Sequence, residues 1–170
     1  MPLPAASAPF LVRRATPADF AAVGEITVRS YVEDGHLPPG SDYARVLADA
    51  GARAAGAELW VAVEESGEVL GSVTFAPPGT SYAEVSNGEE GEFRMLAVAH
   101  GARGRGVGEA LVRQCVDRAR ELGLTGVALS TQPSMGPAHR VYERLGFTRA
   151  PERDWQPVPG IRLLAYRLRL

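Results

Sequence analysis

The sequence contains no lysine, and its 18 Lys-or-Arg positions are all arginine. Without a lysine amine the chain cannot form a Schiff base with a carbonyl substrate. A Walker-type phosphate loop also requires a lysine, so that class of nucleotide site is excluded as well. The absence of this one residue type therefore removes two kinds of chemistry before any motif is considered.

Cysteine and long apolar runs are also scarce. The one cysteine, Cys115, cannot form an intrachain disulfide, which is typical of a protein in the reducing cytoplasm. No stretch approaches the roughly 20 apolar residues that a membrane helix needs. The N-terminal residues lack the basic start and apolar run of a signal peptide. We therefore predict a soluble, cytoplasmic protein without a membrane partner.

The charge balance excludes a further class of partner. The chain carries a formal net charge of −2, whereas nucleic-acid-binding domains usually have a strong basic excess, so no nucleic-acid partner is expected. Apolar residues make up 45% and charged residues 22%, as in ordinary globular domains. At 170 residues the length fits one core, which predicts a single domain over 1–170. Residues 1–9, rich in proline and small side chains, are expected to form a disordered extension.

Strand and helix patterns alternate along the chain and predict a mixed α/β fold. A threonine cap, a proline and an acid at Thr16-Pro17-Ala18-Asp19 indicate the start of the first helix. Glu65-Ser66-Gly67 indicates a hairpin turn between two apolar strands. The predicted strands cover 10–14, 59–63, 69–75, 92–98, 127–131, 147–149 and 162–170, and the predicted helices cover 16–30, 41–55, 104–122 and 137–145.

The turn Arg103-Gly104-Arg105-Gly106-Val107-Gly108, between the fourth strand and the longest helix, is the most informative segment. The first backbone N–H groups of a helix lack partners, and the helix dipole adds positive charge, so this turn predicts an anion site. A dinucleotide fold would place its glycines after the first strand and with another spacing, and it fits poorly. A tight turn with two solvated arginines remains an alternative on spacing alone.

Two motifs make the segment from Glu92 to Phe147 resemble the GNAT superfamily of N-acetyltransferases. The first is Arg/Gln-x-x-Gly-x-Gly/Ala, matched by Arg103, Gly106 and Gly108. The second is Ala-x-x-x-Tyr-x-x-x-Gly-Phe, matched by Ala138, Tyr142, Gly146 and Phe147. The resemblance implies an α/β (α+β) fold with a mixed, mostly antiparallel sheet of six to seven strands. About four helices would flank this sheet, which would splay between its fourth and fifth strands.

The same resemblance implies acetyl-CoA, or another acyl-CoA, as co-substrate, an amine as acceptor, and no metal. The thioester would enter a cleft between Val98 and Ser130, and the amine would attack it directly from the opposite side. The pantetheine arm would pair with backbone groups of Leu96, Ala97 and Val98. The pyrophosphate would lie on the glycine-rich turn, formed by Arg103, Gly104, Arg105, Gly106, Val107, Gly108 and Glu109.

Tyr142 and Glu92 are the catalytic candidates that the resemblance implies. Tyr142 matches the usual general acid of the family, which protonates the CoA sulfur, although an aromatic residue here could simply pack the helix onto the sheet. Glu92 occupies a position where several relatives carry a base, although an acid at a strand end is commonly only solvated. A backbone N–H between Leu96 and Val98 would stabilise the oxyanion.

Two departures from the family pattern weaken parts of this assignment. Met135 stands where many relatives have an asparagine that contacts the cofactor, and Ser130 stands where N-terminal acetyltransferases often have a glutamate. His139 is a weaker candidate base, because an exposed helix histidine is the commoner case. Cys115 lies on the apolar stripe of the long helix and is expected to be a buried core thiol.

The sequence supports two functions, and it leaves the acceptor unidentified. An N-acetyltransferase is favoured over the alternative, a non-catalytic acyl-CoA-binding sensor, because Tyr142 is intact. Family members often dimerise, and the terminal strand could serve that purpose, but nothing in the sequence decides it. Acids in the predicted loops would suit a cationic amine, although such loops often have no substrate role: Glu33, Asp34, Glu84, Glu89 and Glu90.

Overall fold

The computed structural model describes residues 9–38 and 40–170. The predicted N-terminal extension, apart from Pro9, lies outside these residues. The helices are α1 (Phe20–Glu33), α2 (Tyr43–Ala48), α3 (Ala50–Gly56), α4 (Val107–Glu121) and α5 (Gly136–Arg144). The strands are β1 (Phe10–Arg14), β2 (Glu58–Glu64), β3 (Val69–Ala76), β4 (Glu90–Val98), β5 (Gly126–Thr131), β6 (Thr148–Arg149), β7 (Trp155–Val158) and β8 (Ile161–Arg169). None of the described helices is long and apolar enough to cross a membrane.

The strands form one sheet in the order β1-β2-β3-β4-β5-β8-β6, with β7 paired to β8 outside this path. Every neighbouring pair is antiparallel except β4 and β5, which are parallel. This is the mixed, mostly antiparallel sheet that the resemblance implied, and the fold class is confirmed.

The element count is slightly higher than the prediction of six to seven strands and four helices. The predicted helix over 41–55 is divided at Asp49, whose backbone leaves the helical region and whose Oδ1 accepts the N–H of Ala52 at 3.0 Å. Trp155–Val158, expected to be a connecting tail, is a strand. Asp154 anchors it by accepting bonds from Arg149 at 2.7 and 2.8 Å and from the N–H of Ala165 at 2.8 Å.

Helices cover both faces of the sheet. On one face α4 and α5 pack on an apolar cluster that includes Val73, Phe75 and Phe93. On the other face α1 and α3 pack on Leu59 and Val61 of β2. Because side chains alternate along a strand, the residues on either side of Phe93 point toward α1–α3. Each face of β4 therefore meets a different group of helices.

The sheet opens between β4 and β5. The two strands pair only from Glu90–Phe93 to Gly126–Leu129, although both continue beyond that point. The β3–β4 register shifts after Arg94, and Met95 adopts a left-handed φ of 57°. A bulge of this kind places an extra residue in one strand and bends it away from its neighbour. The predicted splay between the fourth and fifth strands is thus present, and it begins at Arg94.

Candidate functional site

The glycine-rich turn follows β4 after the short 3-10 helix His100–Ala102 and leads into α4. Gly104 and Gly106 both have φ of 80°, a left-handed conformation that side chains with a Cβ adopt at a cost. The helical ladder begins with the N–H of Ala110, which donates to the carbonyl of Gly106 at 3.0 Å. The N–H groups of the preceding helical residues therefore have no intrahelical partner. No described side chain caps them, so the turn presents uncapped backbone donors of the kind that bind anions.

The two arginine side chains of the turn are held by acids on other elements. Arg103 donates to Asp34 at 2.7 Å and to Ser30 at 3.1 Å, both on or next to the end of α1. This hydrogen bond lowers the pKa of Asp34. Arg105 donates to Glu64 at 2.7 Å, at the end of β2. The guanidinium groups therefore brace the turn, and its backbone amides are the donors that face open space.

Beyond the bulge, β4 keeps one free edge. Ala97 and Val98 pair with Ser72 and Gly71 of β3 on one side. On the side toward β5, the paired residues end at Phe93, so Leu96 to Val98 have no described strand partner there. Backbone groups on such an edge can pair with an extended ligand. Between the free edge and the glycine-rich turn lie only Ala99 and the 3-10 helix His100–Ala102, so the two features adjoin and together define the groove.

Tyr142 lies beside the point where β4 and β5 separate. Its side chain is 4% exposed, and its ring lies 5.7 Å from that of Phe93, the last β4 residue paired with β5. The rings of Tyr166 and Phe147 lie 6.1 and 6.2 Å away. Burial raises the pKa of Tyr142 well above its ordinary value, so the phenol stays protonated across the physiological range. The ring thus both packs in the core and supplies a neutral proton donor.

Glu92 is fully buried and anchors the long loop between β3 and β4. Its Oε1 accepts the backbone N–H groups of Glu84, Val85 and Ser86 at 2.8–2.9 Å. Its Oε2 is buried and has no hydrogen-bond partner in the described part of the chain. The strand begins two residues earlier, at Glu90, so Glu92 lies within β4 and not at its first residue. It shares the α1–α3 face with Arg94, opposite Phe93.

The other candidates from the sequence have local roles. His139 contacts the carbonyl of Gln132 at 3.0 Å and Thr131 at 3.3 Å through Nε2. Met135, in the place of the usual asparagine, is reached by the hydroxyl of Thr131 at 3.3 Å. Cys115 is completely buried, and burial raises the pKa of its thiol. Within residues 9–38 and 40–170 no group of three His, Cys, Asp or Glu side chains is arranged to hold a metal ion.

Most of the loop acids contact basic side chains. Glu90 is buried between Arg153 at 2.6 Å and Arg167 at 3.1 Å, and Asp34 lies 2.7 Å from Arg103. Glu33 contacts His100 at 2.7 Å, and Glu84 lies 4.0 Å from Arg94, too far for a strong ion pair. The charges of Glu90 and Asp34 are therefore balanced by arginines and do not favour a cationic acceptor.

An open pocket of about 560 Å³ lies next to the turn but outside the groove. It is bounded by the outer face of α1, the hairpin turn near Gly67 and the end of β4 at Val98–Gly101. Neither Tyr142, Glu92 nor any residue of β5 borders it. Its charged groups also pair with each other, as Arg29 does with Glu25 at 3.0 Å. The pocket therefore adjoins the groove at Val98 but lies away from Tyr142, Glu92 and β5.

Two arginines near the opening of the sheet were missed by sequence reasoning. Arg53 lies in α3 and is completely buried, and Arg94 lies on β4 immediately before the bulge. Neither arginine belongs to a sequence motif. They are 41 positions apart along the chain and come near each other only when α3 packs on the sheet. The available signal was a single charge within a helix of alanine and glycine, Ala50–Gly56, where a small-residue face indicates close packing.

Two curated relatives match part of the chain. It is 32% identical to the N-acetylaspartate synthetase of Danio rerio over 108 residues, which cover 62% of this chain and 35% of the relative. It is 37% identical to the mycothiol acetyltransferase of Pseudarthrobacter chlorophenolicus over 91 residues, which cover 52% of this chain and 27% of the relative. The chain thus spans about a third of the length of these relatives.

Solved structures share the whole fold. A GNAT-family acetyltransferase from Staphylococcus aureus Mu50 superposes with a TM-score of 0.74 over 95% of this chain and 99% of its own, at 14% identity. The protein yncA from Salmonella typhimurium, solved with its cofactor acetyl-CoA, has a TM-score of 0.67 over 95% of this chain and 94% of its own, at 24% identity. At these identities the superpositions establish a common fold.

A family-wide sequence model matches a longer stretch. The model of the Acetyltransferase (GNAT) family covers residues 21–147, which include β4, the glycine-rich turn, α4 and α5. The matched stretch contains both motifs and the opening between β4 and β5. By sequence and by fold, the chain belongs to the acetyltransferase (GNAT) family.

Proposed function

We propose that the protein transfers an acetyl group from acetyl-CoA to the primary amine of a small molecule or a protein, in a complex that holds both reactants. The observation that carries this proposal is the free edge of β4 close to the uncapped N-terminus of α4. Family membership, and the acetyl-CoA in the structural neighbour from Salmonella typhimurium, support the choice of co-substrate.

The turn suits the pyrophosphate of acetyl-CoA. A Cβ atom built at Gly104 or Gly106 meets no atom within 4 Å, so open space lies against both residues. We assign phosphate binding to the backbone amides from Arg103 to Glu109, with the helix dipole adding positive charge. Arg103 and Arg105 contribute through their backbone and by bracing the turn on Asp34 and Glu64.

The pantetheine arm fits the free edge of β4. We assign it to the backbone groups of Leu96, Ala97 and Val98 that face away from β3, in the manner of an added strand. This placement puts the thioester in the opening between Val98 and Ser130. Phe93 and Tyr142 lie where that opening begins. A backbone N–H from the same segment would donate to the oxyanion.

The chemistry requires one bond to form and one to break. The amine nitrogen attacks the thioester carbonyl carbon, the C–N bond forms, and the C–S bond breaks to release the CoA thiolate. Tyr142 donates its phenolic proton to the sulfur. Glu92, whose Oε2 has no partner among the described residues, receives the proton lost by the ammonium through an intervening water. The nitrogen loses its second proton as the C–S bond breaks, and this proton passes through water to the Tyr142 phenolate, so that the amide and the CoA thiol are the products. Holding the two reactants in line supplies much of the acceleration.

The direct test is release of CoA from acetyl-CoA across a panel of primary amines, with mass spectrometry of the products. Transfer requires an acetylated amine to appear in step with free CoA. A second measurement, acetyl-CoA affinity by calorimetry, separates the enzyme from the acyl-CoA-binding sensor. Tight binding of acetyl-CoA with no turnover on any amine would overturn catalysis and leave the sensor function.

Glu92→Gln is expected to reduce kcat/KM by roughly 100-fold at pH 7, the size typical of a lost general base. Glutamine keeps an oxygen that can accept the three loop N–H bonds but cannot take up a proton. The loss should shrink at high pH, where the acceptor is already a free amine. The measurement is a pH–rate profile of the variant against the unmodified enzyme.

Glu90→Gln is the matched control for Glu92→Gln. Glu90 is also a buried carboxylate of β4, and it accepts the N–H of Asn87 from the same loop at 3.1 Å. It is expected to lower stability without changing the shape of the pH profile. If Glu92→Gln loses the same fraction of activity at every pH, Glu92 acts by holding the loop and not as a base.

A further inference from the structure

Two guanidinium groups lie on the α1–α3 face of the sheet where β4 leaves β5. Arg94 is the first β4 residue beyond the last pair with β5, and its β3 partner is Thr74. The hydroxyl of Thr74 in turn accepts from Arg53 at 3.3 Å. Thr74 thus links both arginines, and they lie opposite Phe93, which contacts Tyr142. Under the proposed function, the acceptor would approach the thioester on this face of the sheet.

Arg53 is a buried cation, and Asp49 lies within its electrostatic reach without forming an ion pair with it. It donates to the carbonyl of Leu47 at 2.7 Å and, more weakly, to the hydroxyls of Thr74 and Thr27 at 3.3 and 3.5 Å. Its Nε has no partner, and no carboxylate within the described residues forms an ion pair with it. Burial lowers the pKa of Arg53. A buried charge is normally paired, so this one leaves positive potential in the protein that an anion would offset.

Arg94 is only loosely held. Its side chain is 18% exposed; it donates to the carbonyl of Tyr82 at 3.3 Å and lies 4.0 Å from Glu84, the limit of an ion pair. Arg149, by contrast, is held firmly, because its guanidinium donates two hydrogen bonds to the carboxylate of Asp154, at 2.7 and 2.8 Å. Arg94 therefore retains donors for a ligand, in the fork geometry that suits a carboxylate.

Tyr31 lies within electrostatic reach of both arginines and of Tyr142. Burial raises the pKa of Tyr31, while the charges of Arg94 and Arg53 oppose that rise. Tyr31 in turn acts on the pKa of Tyr142. Such effects require the groups to lie within electrostatic reach of each other. On the same face of β3 as Thr74, the hydroxyl of Ser72 is buried without a partner in the described residues. Unsatisfied polar groups and positive charge thus meet at the opening.

We propose that the acceptor is an amine that also carries a carboxylate. Arg94 binds this carboxylate, and the buried Arg53 adds a second positive charge on the same face of the sheet. The inference rests on the proposed function and specifies its acceptor as an amino-acid-like molecule. Such an acceptor differs from the cationic amine expected from the sequence. Most of the loop acids on which that expectation rested are paired with arginine or histidine.

The test compares amino acids with their primary amides as acceptors. Each amide keeps the amine and the side chain but replaces the carboxylate by a neutral group. We expect kcat/KM to favour the acids, and Arg94→Gln to reduce the acid-to-amide ratio at least tenfold. Arg94→Lys, which retains the charge without the fork, should keep part of the ratio. Because each ratio is measured within one variant, a change in the amount of folded enzyme affects both acceptors equally. The difference in amine basicity between acid and amide is the same for every variant.

Arg120→Gln is the matched control, because Arg120 is 61% exposed on α4 and pairs only with Asp117 at 3.5 Å among the described residues. Its acid-to-amide ratio should equal that of the unmodified enzyme. Turnover of amides as fast as acids, or an acid preference that survives Arg94→Gln, overturns the carboxylate site alone. Absence of CoA release with every amine overturns the proposed transfer, and the carboxylate site with it.

Discussion

Gly106→Glu is expected to reduce acetyl-CoA affinity by more than 100-fold, equivalent to roughly 3 kcal/mol. Gly106 precedes α4 with φ of 80°, and a Cβ at this position projects into the open space against the turn. The glutamate would place bulk and negative charge where we assign the pyrophosphate. Calorimetric titration with acetyl-CoA measures the effect, and thermal unfolding shows whether the variant is folded.

The strain and the charge of that substitution can be separated. Gly106→Ala brings only the strain of a left-handed alanine, about 1–2 kcal/mol, so it should unfold at a lower temperature but still bind acetyl-CoA. Gly108→Glu brings the charge and bulk of the side chain without the backbone strain, because Gly108 has no positive φ and its Cβ would lie 3.6 Å from Val98. An acid in the first turn favours the helix, so the variant should remain stable and bind at least tenfold more weakly.

Unchanged acetyl-CoA affinity in both glutamate variants would contradict the assignment of the turn. Weak binding in Gly106→Ala as well as in Gly106→Glu, with Gly108→Glu unaffected, would indicate that the shape of the turn matters and its electrostatics do not. The pattern that supports the proposal is loss in both glutamate variants together with binding in the alanine variant.

The side of the site assigned to the co-substrate could be predicted from sequence because its determinants are local. A strand, three glycines and a helix lie within 92–122, and the chemistry of a helix N-terminus follows from the backbone. The start of the first helix was equally local: Asp19 accepts the N–H of Thr16 at 2.8 Å, although the first turn, Pro17–Asp19, is a 3-10 helix. Motif spacing then supplied the position of Tyr142.

The side assigned to the acceptor could not be predicted because it depends on contacts between distant segments. Arg53 reaches Thr27 and Thr74 only after α1, α3 and β3 have packed. Glu92 was expected at a strand end, yet its carboxylate is enclosed by a loop whose backbone folds back onto it. No periodicity or spacing records such contacts. The short strand β7 was missed for the same reason, since Asp154 and β8 hold it in place.

The two sides of the proposed site depend on the sequence in different ways. The groove at the glycine-rich turn uses mainly backbone groups, so many sequences of the family can form it with few fixed residues. In the proposed site, acceptor selection depends on side chains such as Arg94, which lie on a face assembled from α1, α2, α3 and the β3–β4 loop. We therefore expect substitutions on that face to change which amine is used, whereas substitutions in the turn affect every acceptor equally.

Tyr142→Phe is expected to reduce kcat by roughly 100-fold or more, the range typical of a lost general acid, with little change in acetyl-CoA affinity. Phenylalanine keeps the ring contacts with Phe93 and Phe147, so the core stays filled. Only the proton donor is removed. Steady-state kinetics with the best acceptor, together with calorimetry, measure the two effects.

Tyr166→Phe is the matched control for Tyr142→Phe. Tyr166 is also a buried tyrosine of the same aromatic cluster, with its ring 6.1 Å from that of Tyr142, and burial raises its pKa as well. It has no assigned role in the transfer, and its loss of a hydroxyl should leave kcat within about twofold. An equal loss in both variants would mean that the cluster acts through packing and that Tyr142 is not the acid.

The pH dependence provides a second criterion for Tyr142. Because burial raises its pKa above the ordinary value near 10, the acid form persists as pH rises, and loss of the proton begins only at higher pH than for a solvated tyrosine. The rate should therefore rise with pH as the acceptor ammonium deprotonates and stay on a plateau through pH 9. A fall in kcat below pH 9 that disappears in Tyr142→Phe would contradict a buried, high-pKa acid.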